Sequence, residues 1–256
     1  MRGTREVREV LEAVDAVDWG GLPGPAGLNG LNGPADLYSP ARVVTGLRAL
    51  ATATGLVRAA DAGALLAGGG LVHDHSGTVF PAAVVAAPFL LAVARHGHPE
   101  AGATALGLLD DALAFAARDR STRVATPYAE AVPICCALAD HLRGGAGLLA
   151  TRGREGGQLL ADVAEHWRFD VQEVVAEGAG VAAFGALAGR FPDGVRAAEL
   201  HRAGRVTVLE RVVLHYPPEP DGGPDACLRL DGVRPDELAP PALLFPARCG
   251  PGPTDG

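Results

Sequence analysis

Apolar positions recur at helical spacing along most of the first two hundred residues. Val7, Val10, Leu11, Val14 and Val17 fall at i, i+3, i+4 and i+7 and predict an amphipathic helix over residues 4–17. Ser39 followed by Pro40 is a helix start, with Ser as N-cap and Pro at the first helical position, and predicts a helix to about Ala53. The same reading predicts helices over 56–66, 80–95, 100–118 and 127–143, a short one within 144–157, and further helices over 159–167, 171–190 and 195–203. Gly68-Gly69-Gly70 ends the helix over 56–66, and Thr78 is placed to cap the helix over 80–95. That helix is apolar all round and must be covered by other helices.

Two stretches break the pattern. Residues 18–39 are rich in Gly and Pro and predict a long loop, tacked down by Trp19, Leu28, Leu31 and Leu37. From Arg205 the character changes: RVTVLERVVLHY is β-branched, PPEPDGGPD is a turn, and ACLRLDG and ALLFPARC read as two more strands. The periodicity therefore predicts a mainly all-α helical domain over 1–204, with a small C-terminal β-like segment and tail over 205–256.

Composition narrows the picture. The 256 residues are 48% hydrophobic and only 5% aromatic, so the chain has a core built from small side chains, which suits closely packed helices. The formal net charge of −8, with all basic residues arginine, argues against a nucleic-acid backbone as main partner. The cysteines are Cys135, Cys136, Cys227 and Cys249, without a CxxC pair, so no metal or cofactor is expected. The charged N-terminus has no signal-peptide core and no apolar run reaches membrane-spanning length, so a cytoplasmic protein without membrane contact is expected.

The segment DHSGTVFPAAVVAAPFLLAVARHG, residues 74–97, resembles the central helix pair of bacterial HEAT-like repeat proteins, with His75, Gly77, Phe80, Pro88, Phe89 and Leu90 at the matching positions. DWGGLPGP and YSPARVVTGLRALATAT resemble the N-terminal region of that group, and the resemblance covers roughly residues 1–145. It implies a HEAT-like α-solenoid of antiparallel helix pairs. Proteins of that group are mainly binding scaffolds. A DNA-repair branch is basic, unlike this chain, and its catalytic residues have no match here.

Candidate site residues come from several places. His73, Asp74 and His75 sit in a polar loop, where His73 and His75 would point the same way, but no third metal ligand is in reach. The bland alternative is a turn in which Asp74 caps a backbone N–H. Tyr128 and Glu130 follow Pro127 at a predicted helix start. His166 and Trp167 close a helix, with Trp167 read as a core anchor or as an aromatic lining a groove. Glu173 shares a predicted helix face with Glu177, where a solvated acidic face is the simpler reading. No phosphate loop or hydrolase frame is present, because GALLAGGG ends a helix and Ser76 lacks flanking glycines at the required spacing.

The reading that results is a non-catalytic binding or adaptor protein with a protein partner, of the toxin-immunity type by analogy. The alternative is an enzyme or small-molecule binder, of the kind found in specialised metabolism, with a pocket in the concave face of the stack. DNA-lesion recognition is a further option, one that requires an arginine-lined groove.

Overall fold

The computed structural model describes residues 2–22, 37–119, 122–219 and 223–249. The expected loop anchors Leu28 and Leu31 and the tail from residue 250 lie outside them. The chain divides into two compact units: residues 1–124 with 133–160, and residues 125–132 with 161–256.

The first unit is helical. Helices α1 (Arg2–Asp15), α2 (Pro40–Ala51), α3 (Leu56–Ala67), α4 (Ala82–His96), α5 (Pro99–Ala116), α6 (Ile134–Gly144) and α7 (Ala146–Leu149) belong to it. Helix α8 (Gly153–Ala164) carries the chain onward. Ser39 caps α2 as expected, its side chain accepting from the Arg42 N–H. Helix α4 is buried over most of its surface, with Ala83, Ala86, Ala87 and Leu90 at 1% exposure or less, but Pro88 is exposed, so the all-round coverage its pattern predicts is incomplete. Small residues let the helices close in: Gly46 of α2 lies against Leu66 of α3, and Gly63 of α3 lies against Thr104 of α5. Trp19 is buried, and its indole N–H donates to the Val14 carbonyl at 2.9 Å.

Local details of this unit differ from the expectation. Residues 71–80 form a tight hairpin of strands β1 (Val72–His73) and β2 (Thr78–Val79), so Thr78 lies in a strand and α4 begins after Pro81 without a side-chain cap. The helix expected over 127–143 starts only at Ile134. Residues 125–131 form a loop between strands β3 (Arg123–Val124) and β4 (Val132–Pro133). Thr126 holds this loop in a turn, its hydroxyl donating to the Ala129 carbonyl and accepting from the Ala129 N–H.

The second unit overturns the all-α reading. It is a closed six-stranded antiparallel barrel of β5 (Arg168–Glu177), β6 (Gly180–Ala188), β7 (Arg196–Arg202), β8 (Arg205–Tyr216), β9 (Asp225–Asp231) and β10 (Ala242–Pro246). Around the barrel the order is β5-β6-β9-β8-β7-β10, with β10 returning to β5. The protein is therefore mixed α/β, and neither a HEAT-like α-solenoid nor an all-α fold. The helices expected over 171–190 and 195–203 are strands. Their burial shows why: Val181, Ala183 and Leu187 alternate with less buried neighbours, a period of two that the alanines and glycines between them disguise. Burial on the pleated surface outweighs the helical preference of alanine.

Phe169, Val171, Val181, Leu200, Leu228 and Leu244 point inward and fill the barrel, as expected for so few strands. A bulge in β5 between Val171 and Glu173 and one in β7 between Arg196 and Ala198 bend those strands. Gly185 stands opposite Val171 where a Cβ would come within 2.0 Å of the Asp170 carbonyl oxygen.

Gly185→Ala should therefore lower stability by about 1–3 kcal/mol, read from the urea midpoint. Gly107→Ala, in open space inside α5, should raise stability by about 0.5–1 kcal/mol. A second outcome concerns the Tyr38 hydroxyl, which donates to the Trp19 carbonyl at 2.8 Å and whose pKa burial pushes up to about 12. The unfolded chain releases that proton near pH 10, so stability is lost as pH rises from about 10 to about 12. Absorbance at 295 nm should show a last tyrosine step near 12 that Tyr38→Phe removes.

Candidate functional site

Alternation along the barrel strands decides what its outer wall presents. Because Phe169, Val171, Ala198, Leu200 and Leu244 point into the core, the intervening Asp170, Glu199, His201, Leu243 and Phe245 point out. The register then aligns them. Asp170 stands opposite Leu243, Leu243 opposite His201, and His201 opposite Val206. One step along, Phe245 stands opposite Glu199 and Glu199 opposite Val208.

The side chains of this wall interlock. His201 Nε2 lies 3.3 Å from Glu199 Oε2, with both residues 6% exposed. The His201 ring meets Phe245 edge-on at 4.9 Å. Arg168 grips Asp170 with two hydrogen bonds, at 3.1 Å from Nε and 3.2 Å from Nη2. Loop 125–131 lies against the same wall. Tyr128 stacks on Phe245 at 6.3 Å and 24°, and the Arg168 guanidinium lies 4.7 Å from the centre of the Tyr128 ring. Tyr128 remains 37% exposed.

Between the loop and the barrel lies a cleft of about 730 Å³. The loop contributes residues Thr126–Ala131, β5 contributes Asp170, the β7–β8 hairpin contributes His201–Val206, and β10 contributes Leu243. The hairpin turns at Ala203 and Gly204 with φ of 50° and 73°, which makes it a tight two-residue connection. The Glu130 carboxylate sits beside that turn, 3.6 Å from where a Cβ on Gly204 would be. Arg202 Nε donates to the Ala239 carbonyl at 2.7 Å.

Of the residues singled out in the sequence, Tyr128 and Glu130 line the cleft together. Trp167 is in the barrel core against Phe191, at 4.7 Å between ring centres, and His166 beside it is buried. Glu173 is exposed on β5 opposite Phe184, outside the cleft lining. His73, Asp74 and His75 belong to the helical unit, in the β1–β2 hairpin. There His73 Nδ1 bonds Ser76 Oγ at 2.9 Å, Ser76 Oγ bonds Thr78 Oγ1 at 2.8 Å, and Asp74 Oδ1 accepts from the His75 N–H at 2.8 Å. These bonds stay within the hairpin, which is the turn anticipated for Asp74.

Sequence reasoning missed Glu199, His201, Arg202 and Arg205. Their signal was the alternation AELHR-AG-RVTVL around a two-residue turn, which the helical reading of 195–203 concealed. Comparison of the chain with known protein families, curated proteins and solved structures finds no match, so no family supports the HEAT-like resemblance.

The buried Glu199–His201 pair should be energetically coupled. A double-mutant cycle with Glu199→Gln and His201→Asn, read by urea denaturation, should give a coupling of about 1 kcal/mol or more. Additive single effects would show that the contact contributes nothing.

Proposed function

We propose that the protein is a binding protein whose barrel unit engages a polypeptide partner in the cleft between loop 125–131 and the β10-β7-β8 wall. This keeps the expected adaptor role and moves it from a helical groove to a barrel. One observation carries the reading: Tyr128 is partly exposed, yet held by Phe245 on the barrel and by Arg168. A fixed aromatic ring offers contact area without the entropy cost of ordering it on binding. Tyrosine and arginine are the residue types enriched where partners anchor.

The surroundings support the same reading. The cleft volume of about 730 Å³ lies in the range of ligand sites, roughly 300–1,000 Å³. Val206 and Val208 extend an apolar margin from it along β8, at 43% and 53% exposure. The charged side chains Arg168 and Asp170 neutralise each other at its edge, and Glu199 and His201 contact each other beneath. Among the described residues no helix is long and apolar enough to cross a membrane.

Selection from a random heptapeptide library tests the reading. The wild type should enrich sequences that the Tyr128→Ala protein does not retain, with affinity reduced about tenfold or more by that change. Tyr128 lies outside the barrel core, so the variant should keep its circular dichroism and melt within a few degrees of the wild type. Failure to enrich any sequence, or enrichment indifferent to Tyr128, would overturn the reading.

A further inference from the structure

We infer that two copies of the chain pair edge to edge along β8, antiparallel, so that each copy extends the sheet of the other. This pairing does not depend on the peptide-binding reading above; it follows from the stagger of the barrel strands. Closure leaves part of β8 bonded on one side only. Residues 205–209 of β8 pair with β7, while its pairing with β9 begins at Val212. Among the described residues, no backbone hydrogen bond reaches the other side of residues 205–209. Arg205, Val206, Thr207 and Val208 are all exposed.

The turn decides which main-chain groups point into solvent. Ala203 and Gly204 both have positive φ, as a two-residue type I′ hairpin requires. Its closing pair, Arg202 and Arg205, exchanges hydrogen bonds, and the pattern then alternates along the ladder. Thr207 and Leu209 thus turn their N–H and C=O toward β7. Val206 and Val208 turn theirs away, to the open edge. An extended main chain satisfies donors and acceptors at that spacing. The usual defences of an edge are missing from residues 206–209: there is no lysine and no proline, and the bulge against β7 lies beyond Leu209.

The segment is its own complement. When two copies are set antiparallel about Thr207, Val206 of each faces Val208 of the second copy, and each of these pairs exchanges two main-chain hydrogen bonds. Thr207 meets its counterpart on the two-fold axis, a favourable cross-strand pair. Arg205 stands opposite Leu209 and Glu210 opposite Gly204, so no like charges face each other directly. Arg211, diagonal to Arg205 of the second copy, is already paired with Asp231, its Nε 3.2 Å from Oδ2. The pairing uses the same edge twice, so it stops at a dimer.

Sedimentation velocity of the full chain across about 5–500 μM tests the pairing. The mass should rise from that of one chain toward that of two. Over the same range, amide exchange at Val206 and Val208 should slow about tenfold or more, while Thr207 and Leu209 stay protected by β7 throughout. Val208→Pro deletes an N–H that faces the edge and should keep the chain monomeric. Val208→Lys leaves every main-chain group in place and should do the same by putting a charge on the edge, so it decides the matter if the proline variant does not fold. Thr207→Cys should form an intermolecular disulfide under mild oxidation and Glu210→Cys should not, because only position 207 lies on the axis.

A monomer at every concentration overturns the inference. So does a dimer that persists in Val208→Lys, or one that cross-links equally through Thr207→Cys and Glu210→Cys, since each places the interface elsewhere. A monomer whose Val206 and Val208 amides gain protection only when a selected heptapeptide is added overturns it in favour of a foreign strand.

Discussion

Strand β10 bonds to β5 on one side and to β7 on the other, and the barrel depends on that double pairing. Without it the sheet would be open, with β5 and β7 as edges. Five residues, Ala242–Pro246, make the closure. Their sequence suits it: Ala242 and Leu244 turn into the core, while Leu243 and Phe245 turn out. Pro246, which has no N–H to donate, ends the strand.

Closure sets the chemistry of the wall. A one-residue slip of β10 would send Leu244 outward and Phe245 into the core, because side chains alternate. The observed register instead places Phe245 beside Glu199 and His201, and gives Tyr128 an aromatic partner. The same strand brings Leu243 between Asp170 and His201. The cleft is thus a consequence of pairing. Its charged groups come from β5, from the β7–β8 hairpin and from loop 125–131, and its aromatic anchor comes from that same loop, some forty residues before the barrel begins.

Much of the helical unit was legible in the sequence, because its signals are local. Ser39-Pro40 marks a start that the structure uses, and most of the apolar run over 82–94 is buried, as its composition predicts. The barrel was legible over 205–216, where β-branched residues dominate, and in the short apolar runs over 225–231 and 242–246 that follow turn signals. Residues 168–202 misled because VAAFGALA has the composition of a packed helix while its burial has the period of a strand. That period emerges from pairing with β5 and β9, which a local pattern does not contain. Tyr128 and Glu130 were found as chemistry-bearing residues, but on a predicted helix. The partners that make them a site lie on strands read as helix or left without a role.

Hydrogen exchange at the β10 amides tests barrel closure. If β10 is paired on both sides, the amides of Leu243, Leu244 and Phe245 should be protected to a degree comparable with those of Val181 and Ala183 in β6. Protection lower by several orders of magnitude, as at a frayed edge, would contradict closure and with it the cleft that closure builds.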